Sequence, residues 1–142
     1  MEKSIFHSRI PPQIQINDYL IRIVHYTNLE CSTLINSLFY LDRICENSVI
    51  SITKYNIHKL LFASILISIK FNEDRAYKNN FYAQVCGVPL KELNKMEYQI
   101  LLLLNFNLFI EESLFAKYKS GLLQCSHDEN PDNTLQTKTT RV

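Results

Sequence analysis

The sequence feature that most constrains the fold is a stretch of the chain that is apolar on every side. Residues 60–69 read LLFASILISI, with apolar side chains all around the helical wheel rather than along one stripe. A helix without a polar face is stable only where other elements cover it all round. The stretch is also too short to span a bilayer. We therefore predict a buried helix at about residues 54–72, in the middle of a helical bundle.

Glycine is scarce in this chain, which narrows the fold class further. The 142 residues include only two glycines, Gly87 and Gly121, and four prolines. Hairpin turns and bulges depend on glycine, so the composition argues against sandwiches, barrels and doubly wound sheets. A P-loop or a GxGxxG fingerprint needs several glycines close together, which excludes both motifs. The sequence predicts an all-α protein whose length fits one domain.

The spacing of apolar residues predicts six helices in total. They cover about residues 16–27, 32–46, 54–72, 81–86, 89–104 and 112–123. Thr53 is placed to cap the third helix, Gly87 to end the fourth, and Pro89 to be the first residue of the fifth. Residues 16–110 then form a five-helix unit. We expect an irregular arm at residues 1–15, a C-terminal helix at 111–123 and a disordered tail at 124–142.

The charge balance and the cysteines limit the partners and the compartment. The chain has 15 basic and 14 acidic residues, a net charge of +1, which makes no electrostatic case for nucleic acid or a membrane. The four cysteines are Cys31, Cys45, Cys86 and Cys125, and none of them forms a CxxC pair. Residues 1–12 lack an apolar secretory segment. We expect a reducing, intracellular location, cytoplasmic or nuclear.

Enzymatic interpretations find little support. The chain contains no GxSxG, HExxH or HxxEH motif and no glycine-rich loop. Its histidines are His7, His25, His58 and His127, and each stands apart from any cysteine or carboxylate at ligand spacing. The sequence therefore predicts no catalytic residues, no metal and no cofactor.

Two charged residues interrupt apolar helix faces. Glu97 lies four residues after Leu93 and four before Leu101, on the apolar stripe of the fifth helix. Lys70 follows Ile67 by three residues, near the end of the most apolar helix. A buried carboxylate costs several kcal/mol unless it is paired. Two interpretations stay open: Lys70 extends to solvent past apolar neighbours, or Lys70 and Glu97 meet between the helices and face a partner.

A second pair of charges follows the same logic. Asp42 lies on one line with Leu38 and Cys45 on the second helix, and Arg22 shares a face with Tyr19 on the first. A buried aspartate favours arginine, because the guanidinium can bind it through two hydrogen bonds. We interpret Arg22 and Asp42 as a structural ion pair.

The order and spacing of these helices and charged residues resemble those of the cyclin box. The motifs are LFYLDR at residues 38–43, ASILISIKFNED at 63–74 and LNKMEYQILLLLNF at 93–106. Within the cyclins the sequence is most similar to the P-type, or phosphate-system, group, called U-type in plants. The segments DYLIRIVHYT, NIHKLLFASI and NNFYAQVCGVPLKELNKMEY carry that likeness. The resemblance spans residues 17–108, and the chain after Leu108 is too short for a second repeat, so we expect a single box.

The resemblance implies a function. Cyclins bind a cyclin-dependent protein kinase and have no catalytic activity of their own, so the expected protein is a regulatory subunit that holds the αC helix of a kinase in its active position. The kinase-binding residues that it implies are Lys70, Glu97, Phe71, Asp74, Leu101, Phe106 and Leu108. Arg22 and Asp42 match the ion pair inside the box.

Further partners and an alternative function follow from the same likeness. An inhibitor or a substrate protein would join the kinase complex, in phosphate signalling or the cell cycle. The alternative is a cyclin-box adaptor in transcription or nucleic-acid binding. That class normally has two repeats and a basic face, whereas this sequence has one repeat and balanced charge.

Overall fold

The elements of the protein are helices connected by short loops. The computed structural model describes residues 4–47 and 50–128, and within them it contains six helices and no strand, which confirms the all-α prediction. The helices are α1 (Ile16–Thr27), α2 (Cys31–Asn47), α3 (Ile57–Asn72), α4 (Asn79–Cys86), α5 (Leu90–Leu103) and α6 (Glu112–Asp128). The first five belong to one compact unit, Met1–Phe109, and α6 belongs to a second, Ile110–Val142.

The central element of the first unit is α3, which packs against α1, α2, α4 and α5. Every residue from 60 to 69 is buried, which confirms the prediction from the apolar stretch. The hydroxyl of Ser68 donates a hydrogen bond to the carbonyl oxygen of Thr33 at 2.6 Å, so this polar side chain is satisfied inside the core. Full burial of one large apolar side chain contributes about 1.5–3 kcal/mol. This helix therefore supplies a large part of the apolar burial that stabilises the unit.

The start of α3 differs from the prediction. Residues 54–56 form a turn, and the helix begins at Ile57. The side chain of Asn56 accepts a hydrogen bond from the Thr53 N–H and donates one to the Ser51 carbonyl, each at 2.9 Å. The Thr53 hydroxyl accepts from the N–H of Tyr55 and so supports this turn. The prediction that Thr53 caps α3 is therefore wrong, because the turn separates it from the helix.

Other helix ends follow from residues that tolerate a positive φ. Gly87 ends α4 with φ 83°, as predicted, and Asn28 follows α1 with φ 50°. Pro89 immediately precedes α5 and is not its first residue. The C-terminal helix continues to Asp128, so the prediction of disorder is wrong for residues 124–128. The remainder of the predicted tail, 129–142, lies outside the described residues.

The N-terminal arm is irregular but tied to the first unit. Residues 4–15 contain no helix or strand, and the first three residues of the predicted arm lie outside the described residues. Phe6 is buried, and the N–H of Ser8 donates to the Tyr55 carbonyl at 2.7 Å. The Nε2 atom of His58 lies 2.8 Å from the carbonyl oxygen of Ile14. Contacts at the start of α3 therefore hold the arm in place.

The burial of α3 leads to a prediction about stability. We expect Ile67→Ala to lower the free energy of unfolding by about 2–5 kcal/mol, because it leaves a cavity in the core. Ile21→Ala makes the same chemical change at an exposed position of α1 and should change stability by no more than about 0.5 kcal/mol. Urea denaturation of both variants tests this, and equal losses would contradict the central position of α3.

The buried tyrosines lead to a second prediction. Burial raises the pKa of the hydroxyls of Tyr19, Tyr40 and Tyr82, because phenolate is poorly solvated there. Folding therefore favours the protonated phenols, and this stabilisation is complete below the ordinary tyrosine pKa of about 10. It is lost as the pH rises through the raised values.

We therefore expect the free energy of unfolding to fall above about pH 10. The late part of tyrosinate formation should coincide with the loss of far-ultraviolet ellipticity. Ionisation of all eight tyrosines while the helices remain intact would contradict this expectation.

Candidate functional site

Lys70 and Glu97 form an ion pair at the surface of the first unit. The Nζ atom of Lys70 lies 2.9 Å from one carboxylate oxygen of Glu97 and 3.0 Å from the other. Lys70 is in the last turn of α3, immediately after the buried stretch, and Glu97 is in the middle of α5. Their side chains are 31% and 20% exposed. The structure thus brings these two predicted site residues together where a partner could reach both.

The side chain of Asn79 holds Glu97 in this position. The Nδ2 atom of Asn79, the first residue of α4, donates to Glu97 at 2.9 Å and to the Oδ1 atom of Asn94 at 2.8 Å. The carboxylate therefore has partners from both α3 and α4. This arrangement restricts its rotamers, so the charge is fixed before any partner arrives.

Apolar side chains flank the two residues of the ion pair along the chain. Phe71 follows Lys70 and is 54% exposed, and Phe106 lies beyond the end of α5 and is 58% exposed. Leu101, one helical turn after Glu97, is half-buried, as is Leu108. Exposed aromatic side chains next to fixed charges are typical of the centres of protein interfaces.

Two more exposed residues of α5 extend this surface, and the sequence analysis did not single them out. Tyr98 follows Glu97 directly, and Leu102 lies four residues later on the same helix face. Their spacing was the only signal in the sequence. We call the whole set the Lys70–Glu97 surface. It consists of Lys70, Phe71, Glu97, Tyr98, Leu101, Leu102, Phe106 and Leu108.

The end of α5 shapes one side of this surface. The N–H of Asn105 donates to the Leu102 carbonyl at 3.0 Å, and the N–H of Phe106 donates to the Leu101 carbonyl at 2.8 Å. This pair of bonds is a Schellman motif, with Asn105 at the left-handed position. Tyr40 of α2 also bonds to the backbone of residues 105–109. Sequence reasoning missed it, although it lies within the LFYLDR motif.

The predicted site residue Asp74 lies apart from the helices, in the loop after α3. It is exposed and lines a surface groove of about 850 Å³ together with Glu30, Glu73 and Tyr77. The carboxylate of Glu73 accepts a hydrogen bond from the N–H of Glu30 at 3.0 Å, which links this loop to the one before α2. The lining of the groove thus carries three carboxylates, from Glu30, Glu73 and Asp74, and one guanidinium, from Arg75.

The prediction that Arg22 and Asp42 are buried is wrong, because both residues are exposed. The guanidinium of Arg22 lies against α4 and donates to the Gln84 carbonyl at 3.4 Å. On α2, the buried face contains Tyr40 and Ile44. Asp42 is two residues from Tyr40, about 200° around the helix, which directs it away from the core.

Other kinds of site receive no support from the described part of the chain. Among residues 4–47 and 50–128, no group of three or more His, Cys, Asp or Glu side chains could hold a metal ion. Burial raises the pKa of the Cys45 and Cys86 thiols, which makes both poor nucleophiles. No helix in these ranges is both long enough and apolar enough to cross a membrane.

Comparison with known proteins identifies the class. The sequence profile of the family described as Cyclin matches residues 1–108. Cyclin-U2-1 of Arabidopsis thaliana is 38% identical over 117 residues, which cover 80% of this chain and 52% of that protein. Cyclin-U4-1 of Arabidopsis thaliana is 37% identical over 120 residues, covering 84% and 59%. Cyclin-P3-1 of Oryza sativa subsp. japonica is 31% identical over 115 residues, covering 81% and 49%.

The chain belongs to the cyclin family, a class of non-catalytic regulatory proteins. Within that family it is similar to cyclins of the U and P types, which confirms the resemblance found in its motifs. The chain spans about half the length of the curated relatives it matches.

The partial exposure of the ion pair leads to a prediction about its role in the free protein. Exposed pairs contribute little to stability, so we expect a coupling of less than about 1 kcal/mol between Lys70 and Glu97. A double-mutant cycle with Lys70→Met and Glu97→Gln, followed by urea denaturation, measures this coupling. Coupling above about 2 kcal/mol would instead make the pair a structural element of the fold.

Proposed function

We propose that the chain is the regulatory subunit of a cyclin-dependent protein kinase and binds that kinase through the Lys70–Glu97 surface. The observation that carries the proposal is an ion pair, fixed by α4, among exposed aromatic and aliphatic side chains. Family membership supports a kinase-regulatory role in general. Such a partner would place the complex in the cytoplasm or the nucleus.

The ion pair has bonding capacity left for a partner. A lysine ammonium has three N–H donors and a carboxylate has about four acceptor sites, more than the observed bonds occupy. Lys70 would therefore donate to a kinase carbonyl, and Glu97 would accept from a kinase N–H, without breaking their own contact. Asp74, in the loop after α3, would add polar contacts at the margin.

The apolar residues would supply most of the buried area. Phe71 and Phe106 are more than half exposed in the free chain, so covering them releases water from two aromatic rings. Removing solvent from the surface also strengthens the charged hydrogen bonds at its centre, because the local dielectric falls. Directional bonds and apolar burial would thus act on the same patch.

Activation would follow from a difference in affinity. A protein kinase is active only when the αC helix is positioned so that its glutamate pairs with the lysine of strand β3. A rigid helical surface that binds the inward position of αC more tightly than the outward one shifts the kinase population toward the active state. A shift from 1:99 to 99:1 requires a difference of about 5.5 kcal/mol between the two affinities.

Substitutions at the ion pair test this proposal. We expect Glu97→Ala and Lys70→Glu each to weaken kinase binding by about 2–4 kcal/mol while leaving the fold intact. The measurement is the Kd of the purified chain for each member of a panel of purified cyclin-dependent kinases, together with phosphorylation of a peptide substrate by each mixture.

The chain offers a matched control. Lys59 pairs with Glu92 at 2.8 Å, also between α3 and α5 and also partly exposed. It lies 11 residues before Lys70 on α3, about 16 Å away along the helix. Lys59→Glu should therefore leave kinase affinity unchanged. Equal binding by the parent chain and by both ion-pair variants would defeat the proposed surface, and failure of every kinase in the panel to bind would defeat the proposed function.

A further inference from the structure

The chain directly after α5 has a strained backbone conformation that contacts with other parts of the protein must stabilise. Asn105 and Phe106 both have positive φ angles, 55° and 56°. Asparagine tolerates this left-handed region, but for phenylalanine it is strained. The Schellman bonds, with a third bond from the N–H of Asn107 to the Leu104 carbonyl at 3.0 Å, close the turn itself and do not reach residues 108 and 109. A strained backbone of this kind persists only where its surroundings hold it.

Two side chains of α2 provide that support. The hydroxyl of Tyr40 donates to the carbonyl oxygen of Leu108 at 2.7 Å. The guanidinium of Arg43 donates to the carbonyl of Asn107 at 2.6 Å and, more weakly, to that of Phe109 at 3.5 Å. Three successive carbonyl groups are thus bonded to residues 40 and 43, which lie on one face of α2.

Tyr40 is itself fixed by the core. Its side chain is fully buried, at 0% exposure, and its oxygen accepts a long hydrogen bond from the Asn72 side chain at 3.4 Å. Asn72 also donates to the carbonyl of Ser68 at 3.0 Å. Because Ser68 donates to Thr33, an unbroken series of hydrogen bonds connects α2 and α3 to residues 105–109.

We propose that Tyr40 and Arg43 are positioning residues for kinase binding: they hold residues 107–109 so that Phe106 stays exposed in its left-handed conformation. This inference rests on the proposed function. Tyr40 has no exposed surface and cannot touch a partner, so any effect of its hydroxyl on affinity passes through the backbone it holds. The hydrogen bonds from Arg43 add to the one from Tyr40 in holding residues 107–109. The guanidinium carbon of Arg43 lies 4.7 Å from the centre of the Phe39 ring, which keeps the side chain in place.

The test uses Tyr40→Phe, which removes one hydroxyl and keeps the buried ring. In the free chain, amide hydrogen exchange of residues 105–109 should become about tenfold faster. Affinity for a kinase that the parent chain binds should fall about 3- to 10-fold, in line with the loss of one buried hydrogen bond. Arg43→Gln should change both measurements in the same direction.

A double-mutant cycle separates positioning from general destabilisation. If Tyr40 acts by holding Phe106, the Tyr40→Phe change should have no further effect on affinity in a Phe106→Ala chain. Tyr19→Phe is the control, because Tyr19 is also buried but its hydroxyl faces the carbonyl of Cys86, 3.4 Å away. This control should leave both the exchange of residues 105–109 and the affinity unchanged.

Three results would overturn the inference. Faster exchange without a change in affinity would show that the segment does not matter for binding. An equal effect of Tyr40→Phe with and without Phe106 would show that Tyr40 acts on the whole fold. Loss of binding with Lys70→Glu but not with Phe106→Ala would leave the proposed function standing and remove the positioning role. If no kinase binds the parent chain, both proposals fail.

Discussion

The burial of residues 60–69 of α3 on every side is the constraint on which the rest of the structure depends. Four helices pack against it, and every one of its residues 60–69 is buried. The helix therefore cannot rotate or slide without exposing apolar surface at about 25 cal/mol per Å². Lys70 is the first exposed residue after this stretch, so the packing of the helix also fixes the position of its backbone. The position of the surface charge follows from the packing of the core.

The same helix separates two kinds of polar interaction. Inside, Ser68 and Thr33 form a buried hydrogen bond that belongs to the fold, because water cannot replace it. Outside, the Lys70–Glu97 pair is partly solvated and adds little to the free chain. In the proposed complex the outer pair would lose its water and become stronger, while the inner bond would not change. In the proposed complex, stability and recognition would thus rely on different hydrogen bonds of the same helix.

The sequence predicted the features that depend on a single helix. It failed for features that depend on which other helix packs against that helix. The burial of residues 60–69 and the helix end at Gly87 follow from composition and backbone freedom alone. Asp42 was misplaced because helical spacing shows two adjacent stripes on α2, and only the position of α3 selects the one with Tyr40. The meeting of Lys70 with Glu97 was foreseen as one of two possibilities. The hydrogen bond from Asn79 to Glu97 was not predicted, because nothing in the sequence of α4 indicates that it contacts α5.

The exposure of Lys70 and Glu97 has a consequence for how such proteins diverge. Neither side chain fills space in the core, and both lie at places where the helices would form equally well with other polar residues. If the surface binds the kinase as proposed, a lineage could reverse or remove these charges, and so exchange one partner for another, without passing through an unfolded intermediate. Partner choice would then evolve on this surface while the packing of the buried helix beneath it stays the same.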